Sequence, residues 1–284
     1  MNIDFISFLQ KFTEDALAED IRTGDYTTLS TIPLEAEEEA VFIVKEEGVL
    51  AGVEVAKEML SIIDPEVVTE ILIKDGSDVQ LGDRIMRIRG SVHTILKSER
   101  LLLNVMQRMS GIATKTRKYV HEVAHTKAKI LDTRKTSPLL RFLEKKAVQI
   151  GGGENHRFGL YDMILIKDNH IDYAGGIRQA LHKTYQYIAE KALQIPVEIE
   201  VRDFEELEEV LQYGKVDRIM LDNFSPEDIK TAIERIKGLC EIEASGGINF
   251  KTIKAYAETG VDYISIGDLT HSIKSLDISL KANS

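Results

Sequence analysis

The sequence has a single cysteine, Cys240, so no disulfide can form within the chain and a reducing compartment is the default. A lone cysteine of this kind reads as a small core residue rather than a reactive thiol. The N-terminus lacks a basic segment followed by an apolar run, so it does not read as a secretory signal. No apolar stretch approaches the roughly 20 residues that span a bilayer. These absences lead us to expect a soluble, cytoplasmic protein with no membrane partner. Cations are in deficit as well. Lys and Arg number 36 against 47 Asp and Glu, a formal charge of −11. Such a chain repels nucleic acid on average, so no nucleic-acid partner is expected.

The charge that is present is unevenly spread. Residues 1–100 carry a net −11, residues 101–170 a net +7, and residues 171–284 a net −7. One 70-residue stretch is therefore basic inside an acidic protein, which points to an anionic ligand held locally. The length of 284 residues suits one large domain or two smaller ones, and an apolar share of 43% is ordinary for a soluble chain.

The first hundred residues read as a small α+β unit. Ile3, Phe5, Ile6, Phe8, Leu9 and Phe12 have the spacing of an amphipathic opening helix. Strand-like runs follow at Ala40–Lys45, Val67–Ile73 and Arg84–Ile88, with a helical stretch near Val53–Ile63. A long helix is expected from about Ser98 to Val123, interrupted by Gly111. The domain boundary is placed along it, giving an N-terminal domain over 1–108 and a second domain over 109–269.

The second part alternates short apolar runs with helical segments. The runs are Ile130–Asp132, Met163–Lys167, Val197–Glu200, Arg218–Asp222, Glu241–Ala244 and Tyr263–Ile266, and their last three spacings are each 22 residues. Strand–helix alternation at that period predicts parallel βα units and an α/β barrel. A doubly wound open sheet is the alternative, weakened because no Gly-x-Gly-x-x-Gly turn follows an early strand. In a barrel the active site lies where strands end. Asp132, Arg134, Lys135, Lys167, Glu200, Asp222, Ser245 and Gly267 stand there.

The late strand ends carry glycine, in Ala244-Ser-Gly-Gly-Ile248 and Ser265-Ile-Gly-Asp-Leu269. Loops at that position of a barrel bind phosphate through backbone N–H groups. Tight turns needing φ > 0 are the plainer explanation. The basic stretch places Arg134, Lys135, His156, Arg157 and Lys167 around adjacent strands, and Arg forks suit carboxylates and phosphates. Five grouped cations repel one another unless an anion offsets them. Ser137 is expected to cap a helix starting at Pro138, with Leu139, Leu140, Leu143, Ala147 and Val148 facing inward. Glu200 and Asp222, expected opposite the cations, suit ribose hydroxyls, a Mg²⁺ carried with a diphosphate, or acid–base work. Lys167 equally suits a Schiff-base lysine of a barrel aldolase. A non-catalytic metabolite-binding barrel is the remaining alternative.

Thr133-Arg-Lys-Thr136, the twenty-residue block Gly151–His170, Ala244-Ser-Gly-Gly-Ile248, and Asp262-Tyr-Ile-Ser-Ile-Gly267 with Leu269-Thr-His271 resemble the quinolinate phosphoribosyltransferase family. That family is also called nicotinate-nucleotide diphosphorylase, carboxylating. The resemblance runs over nearly the whole chain and is most specific in the Gly151–His170 block. It implies an α/β fold with an N-terminal α/β sandwich domain, rejoined by about 270–284, and an incomplete, TIM-like barrel. It implies a homodimer, sometimes assembled further to a hexamer, with each barrel mouth covered by the partner's N-terminal domain. It implies transfer of phosphoribosyl from phosphoribosyl diphosphate to quinolinate with decarboxylation, giving nicotinate mononucleotide, diphosphate and CO₂ in de novo NAD synthesis, with Mg²⁺. By motif, Thr133, Arg134, Lys135, His156, Arg157 and Lys167 surround quinolinate and the diphosphate, with Lys135, Lys167, Glu200 and Asp222 in catalytic roles. Glu200 and Asp222 serve ribose and metal. Ser245, Gly246, Gly247, Gly267 and Asp268 hold the 5′-phosphate, Ile266 is a further substrate-binding residue, and His271 is a candidate near the same loop. Arg100 is the arginine lent across the dimer interface. A related transferase of the molybdenum-locus type is the same-fold alternative. Two positions depart from the family pattern: Leu139 stands where the family has Gly, and Lys146 where it has an aromatic. Small packing changes are expected there.

Overall fold

A computed structural model describes Phe5–Ala282; Ile3, in the expected opening helix, lies outside the described residues. In chain order the elements are α1 (Phe5–Ile21), α2 (Tyr26–Thr31), β1 (Glu37–Val44), β2 (Gly48–Val49), α3 (Val53–Ile63), β3 (Val68–Ile71), β4 (Asp78–Val79), β5 (Arg84–Ser91) and the long α4 (Val92–Val123). There follow β6 (Lys129–Leu131), α5 (Arg141–Ile150), β7 (Ile164–Ile166), α6 (Asp168–Ala174), α7 (Ile177–Lys191), β8 (Val197–Val201) and α8 (Phe204–Tyr213). The chain closes with β9 (Arg218–Asp222), α9 (Pro226–Ile236), β10 (Glu241–Ser245), α10 (Ile253–Ala257), β11 (Tyr263–Ser265), α11 (Asp268–His271) and β12 (Ile278–Ala282). Among the described residues no helix is long and apolar enough to cross a membrane.

Two compact units divide the chain. One comprises 1–117, 137–152 and 272–284; the other comprises 118–136 and 153–271. In the first, an antiparallel sheet runs β12-β1-β5-β3, so the C-terminal strand adds to the edge formed by β1. The inward residues of β1 and β5, among them Phe42, Val44, Ile85, Met86 and Ile88, are fully buried. Helix α1 packs on α3, whose Val53, Val55, Ala56, Met59 and Leu60 form its buried stripe.

Residues 137–152 fall in this unit. The reason lies in their aromatic and ionic contacts. Phe142 stacks on Phe8 with ring centroids 5.2 Å apart and meets Phe5 at 4.7 Å. Lys146 places its ammonium 5.0 Å from the Phe5 ring. A cation thus meets a π face at the position where an aromatic was expected. Arg108 of α4 donates to the buried Glu144 carboxylate at 2.9 and 2.6 Å.

The start of α5 differs from expectation. Ser137 does not cap it, and the helix begins at Arg141, with Leu140 as a cap lacking any side-chain hydrogen bond. Leu139 has φ +63°, which no right-handed helix admits, and its side chain is 85% exposed rather than inward. Leu143, Ala147 and Val148 are buried as expected. A leucine in the left-handed region explains why glycine suits this position.

The second unit is a six-stranded parallel sheet in the order β6-β11-β10-β9-β8-β7, with α7, α8 and α9 as crossovers. Its strands bury apolar residues such as Ile199, Leu221, Ala244 and Ile264, but β8 and β10 also carry buried carboxylates. β6 and β7 do not pair with each other, so this α/β barrel is incomplete. Residues 153–157 run beside β6 instead: the Glu154 amide donates to Ile130 at 2.8 Å, and the Asp132 amide donates to Glu154 at 3.1 Å.

Relief of the strain at Leu139 is a direct test of this reading. The left-handed conformation costs leucine about 1–2 kcal/mol, and the extra freedom of unfolded glycine offsets part of that. Leu139→Gly is therefore expected to raise the unfolding free energy by up to ~1 kcal/mol. A lower denaturation midpoint in urea would show that the leucine is not strained.

Candidate active site

In a parallel sheet every strand finishes at the same edge, so the loops after β6, β11, β10, β9, β8 and β7 are neighbours in that order. The loop after β6 carries Thr133, Arg134 and Lys135. Thr133 Oγ1 accepts the Lys135 amide at 3.1 Å, and the Lys135 carbonyl accepts Thr270 Oγ1 at 2.9 Å. These bonds tie the basic loop to the loop after β11. A Cβ added to Gly267 would lie 3.0 Å from Lys135 Cδ and 3.5 Å from the His271 ring. The structure therefore brings Lys135, Gly267 and His271 together, and the lack of a side chain at 267 is what lets Lys135 lie there.

Two of the expected substrate-binding residues also make contacts within the fold. Ile266 is buried and its amide donates to the Leu131 carbonyl at 2.9 Å, so its N–H belongs to the sheet rather than to a ligand. The Asp268 carboxylate accepts the Tyr119 hydroxyl at 3.2 Å. Burial and that carboxylate push the Tyr119 hydroxyl up to about 12, so the phenol keeps its proton. Gly246 and Gly247 have φ of +92° and +62°. A Cβ on Gly246 would meet Asn223 Oδ1 at 2.3 Å, and the Asn223 amide donates to the Ser245 carbonyl at 2.9 Å. The loops after β9 and β10 thus interlock through Asn223, itself at φ +58°. Asn223 Nδ2 also donates to the Asp222 carboxylate at 2.7 Å. Sequence reading passed over Asn223; the signal was an Asn tolerant of the left-handed region directly after a strand-end Asp.

Glu200 does not stand apart from the cations. It forms an ion pair with Lys167, across the neighbouring ends of β8 and β7. That pairing corrects the expected opposition of acidic and basic groups, and it engages the amine on which a Schiff base would form. Asp222 remains on the next strand end. Arg157 donates to the Met163 carbonyl at 3.3 Å. Burial, and then the positive charge of Arg134, lower its pKa. Arg100 is exposed on α4, in the other unit.

His156 departs most from expectation. Its side chain is buried and turns into the sheet interior, where Nε2 lies 3.0 Å from Glu198 and 3.4 Å from Glu243. Its amide donates to Asp132 Oδ1 at 2.9 Å, and its Nδ1 accepts the Arg157 amide at 2.7 Å. Asp132, expected at the rim, is fully buried in this role. Glu198 and Glu243 project from β8 and β10, alternate strands, which in a barrel feed the same interior layer. Arg218 at the start of β9 donates to Glu243 at 3.1 Å and to Glu241 at 2.9 Å, with its guanidinium 3.9 Å from the Tyr263 ring. Glu198, Glu243 and Arg218 escaped the sequence reading. The signal was Glu198-Ile-Glu200 and Glu241-Ile-Glu243, carboxylates at alternate positions of strands that are otherwise apolar.

The ligand-type atoms of His156, Glu198 and Glu243 lie within 4.8 Å of one another, close enough to hold a metal. Charge argues for a proton instead. With Arg218 cationic and both carboxylates ionised beside a neutral imidazole, the cluster is one positive charge short of balance, which one proton supplies and a divalent ion oversupplies. Burial and Glu243 raise the Glu198 carboxyl to about 7. Burial lowers the proton affinity of His156, but the adjacent Glu198 and Glu243 carboxylates outweigh it and raise its pKa to about 9. The Arg157 amide can donate only to a bare Nδ1, so in the geometry seen the ring hydrogen of His156 is on Nε2.

The comparisons with known proteins agree with this architecture. The model of the quinolinate phosphoribosyl transferase C-terminal domain matches residues 112–281, and that of the N-terminal domain matches residues 25–110. The chain belongs to the quinolinate phosphoribosyl transferase family. It is 46% identical to the mitochondrial quinolinate phosphoribosyltransferase [decarboxylating] 2 of Nicotiana glauca, over 96% of this chain and 82% of that one. It is 43% identical to the probable nicotinate-nucleotide pyrophosphorylase [carboxylating] of Bacillus subtilis, over 96% of this chain and 92% of that one. The solved nicotinate-nucleotide pyrophosphorylase from Francisella tularensis superposes with a TM-score of 0.91 at 40% identity, covering 98% of this chain and 97% of that one. All the site residues described above except Arg100 fall within the matched C-terminal domain.

The extra proton gives a sign for stability against pH. The unfolded carboxyl and imidazole release protons near their ordinary values, whereas the folded cluster holds one up to between about 7 and about 9. The folded state then binds more protons than the unfolded one, so this contribution to stability falls as pH rises from about 5 to about 9. Urea titrations of the parent chain and of His156→Gln over that range check it: the variant's slope should be the flatter. A slope unchanged by the substitution would place the proton elsewhere.

Proposed function

We propose that this chain transfers the phosphoribosyl group of phosphoribosyl diphosphate to quinolinate with loss of CO₂, giving nicotinate mononucleotide and diphosphate in NAD synthesis. The observation that carries the reading is the placement of Lys135 against Gly267, at a rim that also receives Arg134, Arg157 and Lys167. Cations for a dianionic pyridine acid and glycine turns for a phosphate stand on one edge of one sheet. The relatives named for this reaction span nearly the whole chain. Lys167 is ion-paired to Glu200, which disfavours an aldolase's Schiff-base nucleophile.

Quinolinate brings two carboxylates, and Arg134 and Arg157 suit them as bidentate donors. Lys135 lies where it can reach phosphate oxygens beside the Gly267 turn. Departure of diphosphate builds positive charge at the anomeric carbon, and the Glu200 and Asp222 carboxylates at adjacent strand ends stabilise it. The pyridine nitrogen then forms the bond to that carbon and becomes cationic. Loss of CO₂ from the adjacent carbon leaves an electron pair which that cation stabilises, and a proton replaces it. Positioning and preorganised charge accomplish this without a covalent enzyme intermediate. Mg²⁺ is part of the proposal. Two hard carboxylates on neighbouring strand ends fit a cation that binds through one or two carboxylates plus substrate phosphates, and Asp222, whose carboxylate accepts Asn223 Nδ2, is less buried than Glu200. When bound, the ion neutralises charge on the diphosphate leaving group.

The reading also includes a homodimer in which Arg100 is lent to the partner's site, and a cytoplasmic setting. Cys240, whose thiol is pushed up to about 11 by burial, calls for no oxidising compartment.

Release of labelled CO₂ from quinolinate, dependent on phosphoribosyl diphosphate and Mg²⁺, is the deciding assay; turnover of a different pyridine acid without that release would overturn the substrate. Arg157→Ala should lower kcat/KM for quinolinate by about a hundredfold or more, the equivalent of ~3 kcal/mol, with the fold intact. Near-parental kinetics would remove Arg157 from the site. Mixing inactive Arg100→Ala and inactive Lys167→Ala chains should restore partial activity in hybrid dimers. Confirmed hybrids with no activity would mean that Arg100 does not act across an interface.

A further inference from the structure

Glu198 and Glu243 have no place in the reaction as derived, yet both are completely buried. Interior carboxylates are expensive to desolvate, and apolar side chains of similar volume would fill the same space at lower cost. Their geometry indicates what they do. Both carboxylates face one nitrogen of one ring, His156 Nε2, at 3.0 and 3.4 Å. Negative oxygens this close to Nε2 repel a ring lone pair and favour a hydrogen there, although neither contact has full hydrogen-bond geometry. A neutral imidazole with its hydrogen on Nε2 has a bare Nδ1. That bare nitrogen is where the Arg157 amide donates, at 2.7 Å. Asp132 holds the same turn from the β6 side by accepting the His156 amide at 2.9 Å. The guanidinium of Arg157 is held at its other end by the Met163 carbonyl, at 3.3 Å. The orientation of one substrate-facing arginine therefore passes through one imidazole to two carboxylates on β8 and β10.

We propose that Glu198 and Glu243 are positioning residues: by fixing the tautomer and orientation of His156 they anchor the backbone of Arg157 and so hold its guanidinium for the pyridine acid. Neither carboxylate touches substrate. Two acceptors on separate strands also stop the ring from turning over, because a flipped imidazole would aim its bare nitrogen at an anionic oxygen. Arg218 sets the balance from the opposite side: its 3.1 Å bond to Glu243 keeps that carboxylate ionised and hence an acceptor, and His156, Ser265 and Arg218 together hold the Glu243 pKa low against burial.

The inference rests on the proposed reaction for its kinetic arm only, so an activity-independent measurement stands beside it. Nitrogen-15 spectra of histidine-labelled parental protein, with His156 assigned by comparison with His156→Gln, should show a protonated Nε2 and a bare Nδ1 at about neutral pH. A resonance showing hydrogen on Nδ1 overturns the proposal whatever the enzyme catalyses. In the kinetic arm, the Glu198→Leu, Glu243→Leu double variant keeps volume but removes both acceptors. We expect its KM for quinolinate to rise about tenfold or more, while KM for phosphoribosyl diphosphate changes less than about twofold. The double Gln variant, which retains a carbonyl acceptor on each strand, should recover most of that loss and preserve the Nε2–H signal. Equal losses for both substrates, or equal losses in the Leu and Gln variants, would assign the pair a merely structural role and sink the proposal. If the double Leu protein does not fold, the parental spectrum and the single Glu243→Leu variant decide: loss of the Nε2–H tautomer with a quinolinate-specific KM rise supports it, and an unchanged tautomer with an equal loss for both substrates overturns it. Parental protein that turns over no quinolinate would instead refute the proposed reaction and leave the tautomer measurement standing.

Discussion

Parallel strands must all begin at one end of a sheet and finish at the other, and the second unit depends on that constraint. Its strand ends form one edge, so residues separated by a hundred positions in sequence become neighbours in a fixed order. The edge gathers Lys135, Gly267, Gly246, Asp222, Glu200 and Lys167 from six different strands. One layer deeper, the same constraint places Glu198 and Glu243 on alternate strands around a single imidazole. Rim chemistry and interior charge are thus two levels of one arrangement, separated by two residues along each strand.

The incomplete closure of this sheet is put to use. β6 and β7 leave a gap, and residues 153–157 run along β6 at its margin, hydrogen-bonded to Ile130 and Asp132. A regular strand there would alternate its side chains and send one residue in two away from the interior. An irregular segment can turn His156 inward and carry Arg157 next to Arg134 in consecutive residues. The backbone groups that this irregularity releases are accepted by side chains, Asp132 for one amide and His156 for the next.

Polar groups at the rim divide between those that build loops and those left to meet ligand. Ile266 and Asn223 spend their backbone amides on the sheet edge, and Asp268 is engaged by Tyr119. The Gly246 turn is enforced by steric contact with Asn223, not by the left-handed φ alone. A glycine pattern that reads as phosphate binding is therefore also explained, in part, by loops that must pass close to one another. Both explanations act at the same positions, because a backbone free of side chains is what close packing and anion binding each require.

Much of the fold was legible in the amino-acid order, because its signals are local. Apolar runs at regular spacing, ending in polar residues, report buried parallel strands whatever lies around them, and β9 was bounded to the residue. The motifs Thr133–Thr136 and Gly151–His170 identified the family for the same reason: each is contiguous. What the order could not show depends on atoms far apart in sequence. Glu200 and Lys167 are 33 residues apart, and their ion pair exists only because β7 and β8 are adjacent. The helix expected at Pro138 begins at Arg141 because Leu139 takes a left-handed φ, which no residue type announces when leucine stands there. The placement of residues 137–152 with the first unit follows from contacts of Phe142 and Glu144 with α1 and α4. Above all, the sequence by itself determined that His156 and Arg157 are adjacent and belong to a basic stretch. Only the tertiary structure decided that the histidine turns inward to two buried carboxylates while the arginine stays with Arg134, because the partners of each side chain come from strands that the chain reaches tens of residues later.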